Sequence, residues 1–246
     1  MAERSRRSRT PLVVVVVVLV LAGALVGVDR GVHAYAEHRA TNELQTSLAT
    51  TGPPTVDIQG FPFLNQVATN RFPRIDVTAS GVSGQGQGGQ PGIQIQTLQA
   101  QLYDVSTANG YRKVTAGRLE GHATVGYSVL DGYTTSPISF AGNESAGPGR
   151  IKTTVAAPIS GQQLNLTLTG APTVDEANQQ IVIVDPAIQI AGINLSQSVV
   201  DALAAQFLKP IPVGALPLGV RLVGVQATSA GVVAEVAGND VVVSDG

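Results

Sequence analysis

The sequence predicts an α+β domain built on one long, curved antiparallel sheet, carried behind an N-terminal apolar helix. Three observations predict it. Strand-like apolar runs bounded by turn residues fill most of the 246-residue chain. No strand–helix–strand alternation accompanies them, which argues against a parallel sheet. Only two amphipathic helical stretches interrupt, one early and one late. With 43% hydrophobic residues the chain can bury a sizeable core as a single domain.

The first element is the apolar helix. "RSRRSRT" precedes an uncharged run from Leu12 to Val28. Its seventeen residues span about 25 Å as a helix, against a hydrocarbon core of about 30 Å. Basic flanks stay cytoplasmic, so everything after Asp29 is expected outside the cytoplasmic membrane, in the periplasm or cell envelope. "AYA" at Ala34–Ala36 fits a cleavage site, so a cleaved signal peptide and an uncleaved transmembrane anchor both satisfy the pattern. The expected division is residues 1–30 as flank and signal or anchor, and 31–246 as one extracytoplasmic domain.

That domain opens with a helix and continues as strands. Val32, Tyr35, Ala36, Ala40, Leu44 and Leu48 form one stripe of a helix that Gly52-Pro53-Pro54 stops. "TVDIQ" and "RIDVTASGV" read as strands, and "SGQGQGGQPG" (Ser83–Gly92) as a flexible loop between strands. In "IQIQTLQAQL" the apolar alternation shifts phase between Ile95 and Leu98, which reads as a bulge. "VTAGRLEGHATVGYSV" and "ISFAG" come next. "RIKTTVAAPI" and "QQLNLTLTG" form a hairpin about Gly161, with Leu164, Leu166 and Leu168 on one face. "QQIVIVDPAIQIAG" is a strand interrupted at Pro186. A late helix starts at Ser196, carries Val199, Val200, Leu203, Phe207 and Leu208 on one stripe, and ends before Pro210. "GVRLVGVQATSAGVVAEVAGNDVVV" closes the chain as a strand pair.

Composition excludes several functions. Without cysteine there is no disulfide, thiolate metal site or cysteine-linked lipid anchor. From Asp29 onward eleven Lys/Arg face sixteen Asp/Glu, so bulk charge favours no nucleic acid. His33 and His38, beside the membrane run, read as solvated, and His122 as a strand-surface residue. Asp175-Glu176 reads as turn chemistry. No HExxH, GxSxG or phosphate-loop pattern occurs. No catalytic residue, metal or cofactor is therefore expected, and the chain does not read as an enzyme.

What remains is apolar capacity, concentrated around two Phe-Pro pairs. Three of the five Phe lie between residues 60 and 77. Phe61-Pro62 and Phe72-Pro73 are extended corners, and "FLNQVATN" between them has room for about two helical turns. The bland role of this turn is to plug one end of the core.

"VDIQGFPFLNQVATNRFPRIDVTASGV" resembles the opening motif of the actinobacterial LmeA-like phospholipid-binding proteins: a short strand, Gly-Phe-Pro-Phe-Leu, a helical turn and the next strand. The likeness runs on to "LPLGVRLVGVQATSAGVVAEVAGNDVVV". The sequence departs from the family pattern in its Gly/Gln-rich loop at 83–92 and its poly-Val run. The resemblance implies a long, strongly curved antiparallel sheet wrapped around a helix, as in tubular lipid-binding (TULIP-like) domains. It implies binding of a phosphatidylinositol-type phospholipid and a part in lipoglycan (lipomannan) elongation. On it, Phe61, Phe63, Leu64, Phe72, Val199, Leu203 and Phe207 are assigned to lipid contact, and Arg71 and Arg74 to an anionic head group. The competing reading is a non-catalytic envelope adaptor that contacts a membrane glycosyltransferase.

Overall fold

A computed structural model describes residues 10–47, 50–83, 94–131, 136–143, 148–159, 162–190, 193–194, 196, 198, 200, 210–213 and 216–245. Its first element, α1 (Thr10–Ser47), is one helix of 38 residues that runs unbroken through the expected boundary at residues 30 and 31. Leu19, Val20, Leu21, Leu25 and Val26 are exposed along its first half. Farther along, Ala36, Ala40 and Leu44 of the expected stripe pack into the core of the domain, whereas Val32 and Tyr35 are exposed. Among the described residues, Leu19–Asn42 is long and apolar enough to cross a membrane.

The remaining elements are β1 (Thr55–Gln59), α2 (Phe63–Thr69), β2 (Arg71–Ser83), β3 (Gln94–Ala108), β4 (Lys113–Val125), α3 (Tyr127–Leu130), β5 (Ile138–Asn143), β6 (Gly149–Ile159), β7 (Gln162–Asp175), β8 (Gln180–Ile190), β9 (Ile193–Asn194), β10 (Ile211–Pro212), β11 (Arg221–Ala227) and β12 (Val232–Asp245). All strand pairs are antiparallel. Among the described residues they form two six-stranded sheets, not the single sheet expected. The first runs β1-β2-β3-β4-β12-β11; the second runs β10-β8-β7-β6-β5, with β9 on β8. The split arises because β12 occupies the free edge of β4 along its whole length. The meander after β4 must then build its own ladder.

Each sheet has its own core. In the first, Val56, Ile58, Phe63, Phe72, Leu102, Val105, Ala116, Leu119 and Val241 are buried against α1 and α2. In the second, Leu166, Leu168 and Ile188 enclose Val200, the described member of the late helical stripe. Val199, Leu203 and Phe207 lie outside the described residues, as do residues 84–93 of the Gly/Gln-rich loop. The sheets meet where β11 packs on β7. There the Gln179 amide bridges them, donating to the Leu222 carbonyl (3.1 Å) and accepting from the Leu222 N–H (2.9 Å). A Cβ at Gly149 would run into the Ala227 carbonyl oxygen, so only glycine permits this approach.

A transverse seam crosses the first sheet. Core-facing residues lie three apart on three adjacent strands: Phe72 and Ile75, Leu102 and Val105, Ala116 and Leu119. A regular strand returns to the same face after two or four residues. The phase changes at Pro73, Asp104 and Gly117, which lie side by side in the ladder with Asp240 of β12. Asp104 and Asp240 adopt left-handed backbone, at φ 50° and 51°, a conformation Asp tolerates better than most residues. The phase shift expected at Ile95–Leu98 is a second case. Ala79 and Val82, the buried residues opposite them, are also three apart, with Gly81 at φ 62° between. The register is the same on either side of Gly81, so no extra residue is inserted.

Candidate functional site

The site is built where α1 meets the first Phe-Pro corner. α2 begins after Pro62, which has no side-chain oxygen to cap it. Its first amide groups are satisfied from elsewhere in the chain. The buried Asp29 carboxylate accepts the N–H of Phe63 (3.0 Å) and of Leu64 (2.7 Å), as an N-cap residue would. One turn farther, His33 Nε2 donates to the Ile58 carbonyl (2.7 Å) and lies 3.1 Å from Glu37 Oε1. Glu37 Oε1 accepts the Ile58 N–H at 3.0 Å. Asp29, His33 and Glu37 share one face of α1 at four-residue spacing. Together they clasp the edge strand β1 and the start of α2, and so cover backbone groups that an open edge would leave unpaired.

His33 is therefore not the solvated residue expected from the sequence. The helix does not stop at the expected boundary at residues 30 and 31, so His33 lies against β1, with its ring 4.9 Å from the Phe63 ring.

The corner divides its aromatic residues between two roles. Phe63 (2% exposed) and Phe72 (6%) plug the core, with ring centroids 6.2 Å apart. Phe61 (58% exposed) and Leu64 (37%) face outward. The Arg30 guanidinium sits 5.6 Å from the Phe61 ring centroid, a cation–π distance.

Beside the corner opens a cleft of about 600 Å³, walled by α2, the start of β2 and the Asp104–Ser106 segment of β3. Phe61, Pro62, Phe72 and Pro73 supply its apolar wall; Asn65, Gln66, Arg71, Asp104 and Ser106 supply polar groups. Gln66 is buried, and its Oε1 accepts no hydrogen bond within the protein. A second open cleft, of about 360 Å³, lies at the Glu176–Gln179 turn beside β11 and β12.

The two arginines part company. Arg71 is exposed and lines the cleft. Arg74 lies on the outer side of the seam, where its Nε donates to Asp76 Oδ1 at 2.7 Å. That bond holds Arg74 above the usual guanidinium range. Arg74 and Arg118 both lie over the Tyr103 ring, at 5.5 and 4.3 Å from its centroid. Arg74 is thus already paired and stacked, and does not line the cleft. Asp29, Glu37, Gln66 and Asp104 belong to the site although no sequence motif singles them out. The one available signal is the Asp–His–Glu series at 29, 33 and 37, on one helical face immediately after an apolar run.

One antiparallel sheet packed on an apolar-led helix and joined to a second sheet leaves an open cleft at a proline corner, the kind of concave surface that ligands occupy. Among the described residues no group of His, Asp and Glu comes together to hold a metal ion. The LmeA-like phospholipid-binding family model matches residues 27–237, and the chain belongs to that family. No curated protein and no solved structure matches it.

Proposed function

We propose that the domain binds an anionic, phosphatidylinositol-type phospholipid outside the cytoplasmic membrane, with the head group in the Arg71 cleft. Family membership is the observation that carries lipid binding. The cleft's chemistry supports the head-group class. It offers an exposed guanidinium for a phosphate, a charge-assisted contact that the planar fork can make bidentate. Asp104, Asn65 and Gln66 line the same cleft. The carboxylate accepts from the hydroxyls of a polyol and disfavours a bare anion, and the amides can both donate and accept, so a polyol phosphate fits better than phosphate alone. The acyl chains leave past Phe61 and Pro62. Each methylene they bury is worth about 0.8 kcal/mol against water, and a bilayer returns nearly the same, so exchange with a membrane costs little. The reading extends to the periplasm or cell envelope as the place of action, and to support of lipomannan elongation as the process served.

Lipid extraction and native mass spectrometry of the purified chain test it. Co-purifying phosphatidylinositol-type lipid, reduced in Arg71→Gln, is the expected result. A chain that carries no phospholipid and ignores phosphoinositide-containing vesicles would sink it.

A further inference from the structure

We infer that the Phe61–Leu64 corner is a membrane-docking surface, set on the bilayer by Asp29, and that α1 is kept in the working protein. The inference rests on reading the first half of α1, up to Val28, as the membrane span, because the second half of the apolar Leu19–Asn42 stretch packs into the domain; it does not rest on the identity of any bound lipid. The uncharged run ends at Val28. The next residue, Asp29, holds the N–H groups of Phe63 and Leu64. One helical residue is about 1.5 Å of rise, so the corner is fixed within a few ångströms of the point where α1 leaves the hydrocarbon.

The outward side chains there are Phe61 and Leu64, with Arg30 against Phe61. Aromatic rings beside cationic side chains are what the head-group zone accepts: the ring sits at the boundary, and the cation meets lipid phosphates. Leu19 to Val28 stay exposed on α1, while from Ala36 the helix packs into the domain. The protein therefore begins to enclose α1 where the bilayer stops doing so. The occupant of the Phe61–Leu64 surface is the outer face of the membrane that α1 crosses.

Retention of α1 follows from the same bonds. Cleavage after Ala36 would remove Asp29 and His33, leaving the Phe63, Leu64 and Ile58 backbone groups without those partners. Ala34–Ala36 also lie inside a continuous helix, with Ala36 against the core. Proteolysis prefers exposed, unstructured segments. The family match begins at residue 27 and includes the whole clasp.

The test uses the full chain, purified from membranes and placed in phospholipid nanodiscs. The sequence has no Trp, so Phe61→Trp introduces a single tryptophan at the corner, excited apart from the five Tyr. Intact mass should show residues 1–36 retained. Emission from the Phe61→Trp variant should be quenched more strongly by lipid brominated near the acyl carbonyl than by lipid brominated at the chain end. Adding Asp29→Ala should at least halve that quenching, and Asp29→Asn, which keeps one acceptor oxygen, should restore part of it. A chain beginning at or beyond residue 37 overturns the inference, as does probe emission untouched by either brominated lipid. Quenching unchanged by Asp29→Ala overturns the role given to Asp29. Strong quenching in a chain without co-purified lipid would support docking while sinking the head-group reading, so the two fail separately.

Discussion

Phe61-Pro62 and Phe72-Pro73 are the same dipeptide, eleven residues apart, with opposite fates. Phe72 is buried between Phe63 and the β3 core, whereas Phe61 is more than half exposed. The difference lies in the element that each proline leads into. After Pro73 the strand continues, and its pairing with β3 turns Phe72 inward. After Pro62 the chain enters α2, whose start Asp29 holds, and Phe61 is left on the rim. An aromatic-proline corner is thus neutral in itself. The element entered after it decides whether its ring stabilises the domain or faces a partner.

Five substitutions press on this contrast and on the site built around it. Phe72→Ala should cost about 3–5 kcal/mol, the usual loss for a buried aromatic, read by chemical unfolding of the full chain in detergent. A cost near zero would mean that the second corner is not a plug. Asp29→Ala should lower the unfolding midpoint by less than Phe72→Ala but by a clear margin, because two amide donors lose their acceptor. A midpoint unchanged from wild type would show that the clasp contributes nothing to the fold.

The arginines test the cleft against the seam. Arg71→Gln should weaken binding to phosphoinositide-containing vesicles by about tenfold, the loss of one good charge-assisted contact. Arg74→Gln should leave that binding as it was. Equal loss in both would return Arg74 to the site. The smallest expected effect is Phe61→Ala on stability, within about 0.5 kcal/mol as for most exposed side chains. A larger cost would show that the rim is part of the core.

Much of this was legible in the sequence. The strand runs, the hairpin of β6 and β7 with Leu166 and Leu168 inward, and the closing pair of β11 and β12 follow from period-two patterning. So does the helical stripe of Ala36, Ala40 and Leu44 from its own period. The corner's importance was visible because aromatic residues are so scarce elsewhere. The split of the sheets was not visible, because it depends on which strand takes the free edge of β4, a choice made over a hundred residues away. The parting of Arg71 from Arg74 was hidden too. The phase change at Pro73, opposite the left-handed Asp104, leaves both on the outer face, and they part because Arg74 finds Asp76 and the Tyr103 ring there, a pairing that nothing in "LYDVS" announces. In the sequence Asp29 only ends the apolar run, since a buried carboxylate is recognised once its donors are known.

The placement of β12 has a consequence for how the chain is made. The last strand, Val232–Asp245, lies between β4 and β11, pairing β4 from Val125 to Lys113. β4 is synthesised more than a hundred residues earlier. Until the C-terminus emerges, that strand presents an open edge, the kind of edge that recruits foreign strands. Such a late, long-range closure carries a high loop-closure cost and slows completion of the sheet. A truncation at the C-terminus would therefore do more than shorten a tail, since it would open the middle of the sheet on which the corner is built.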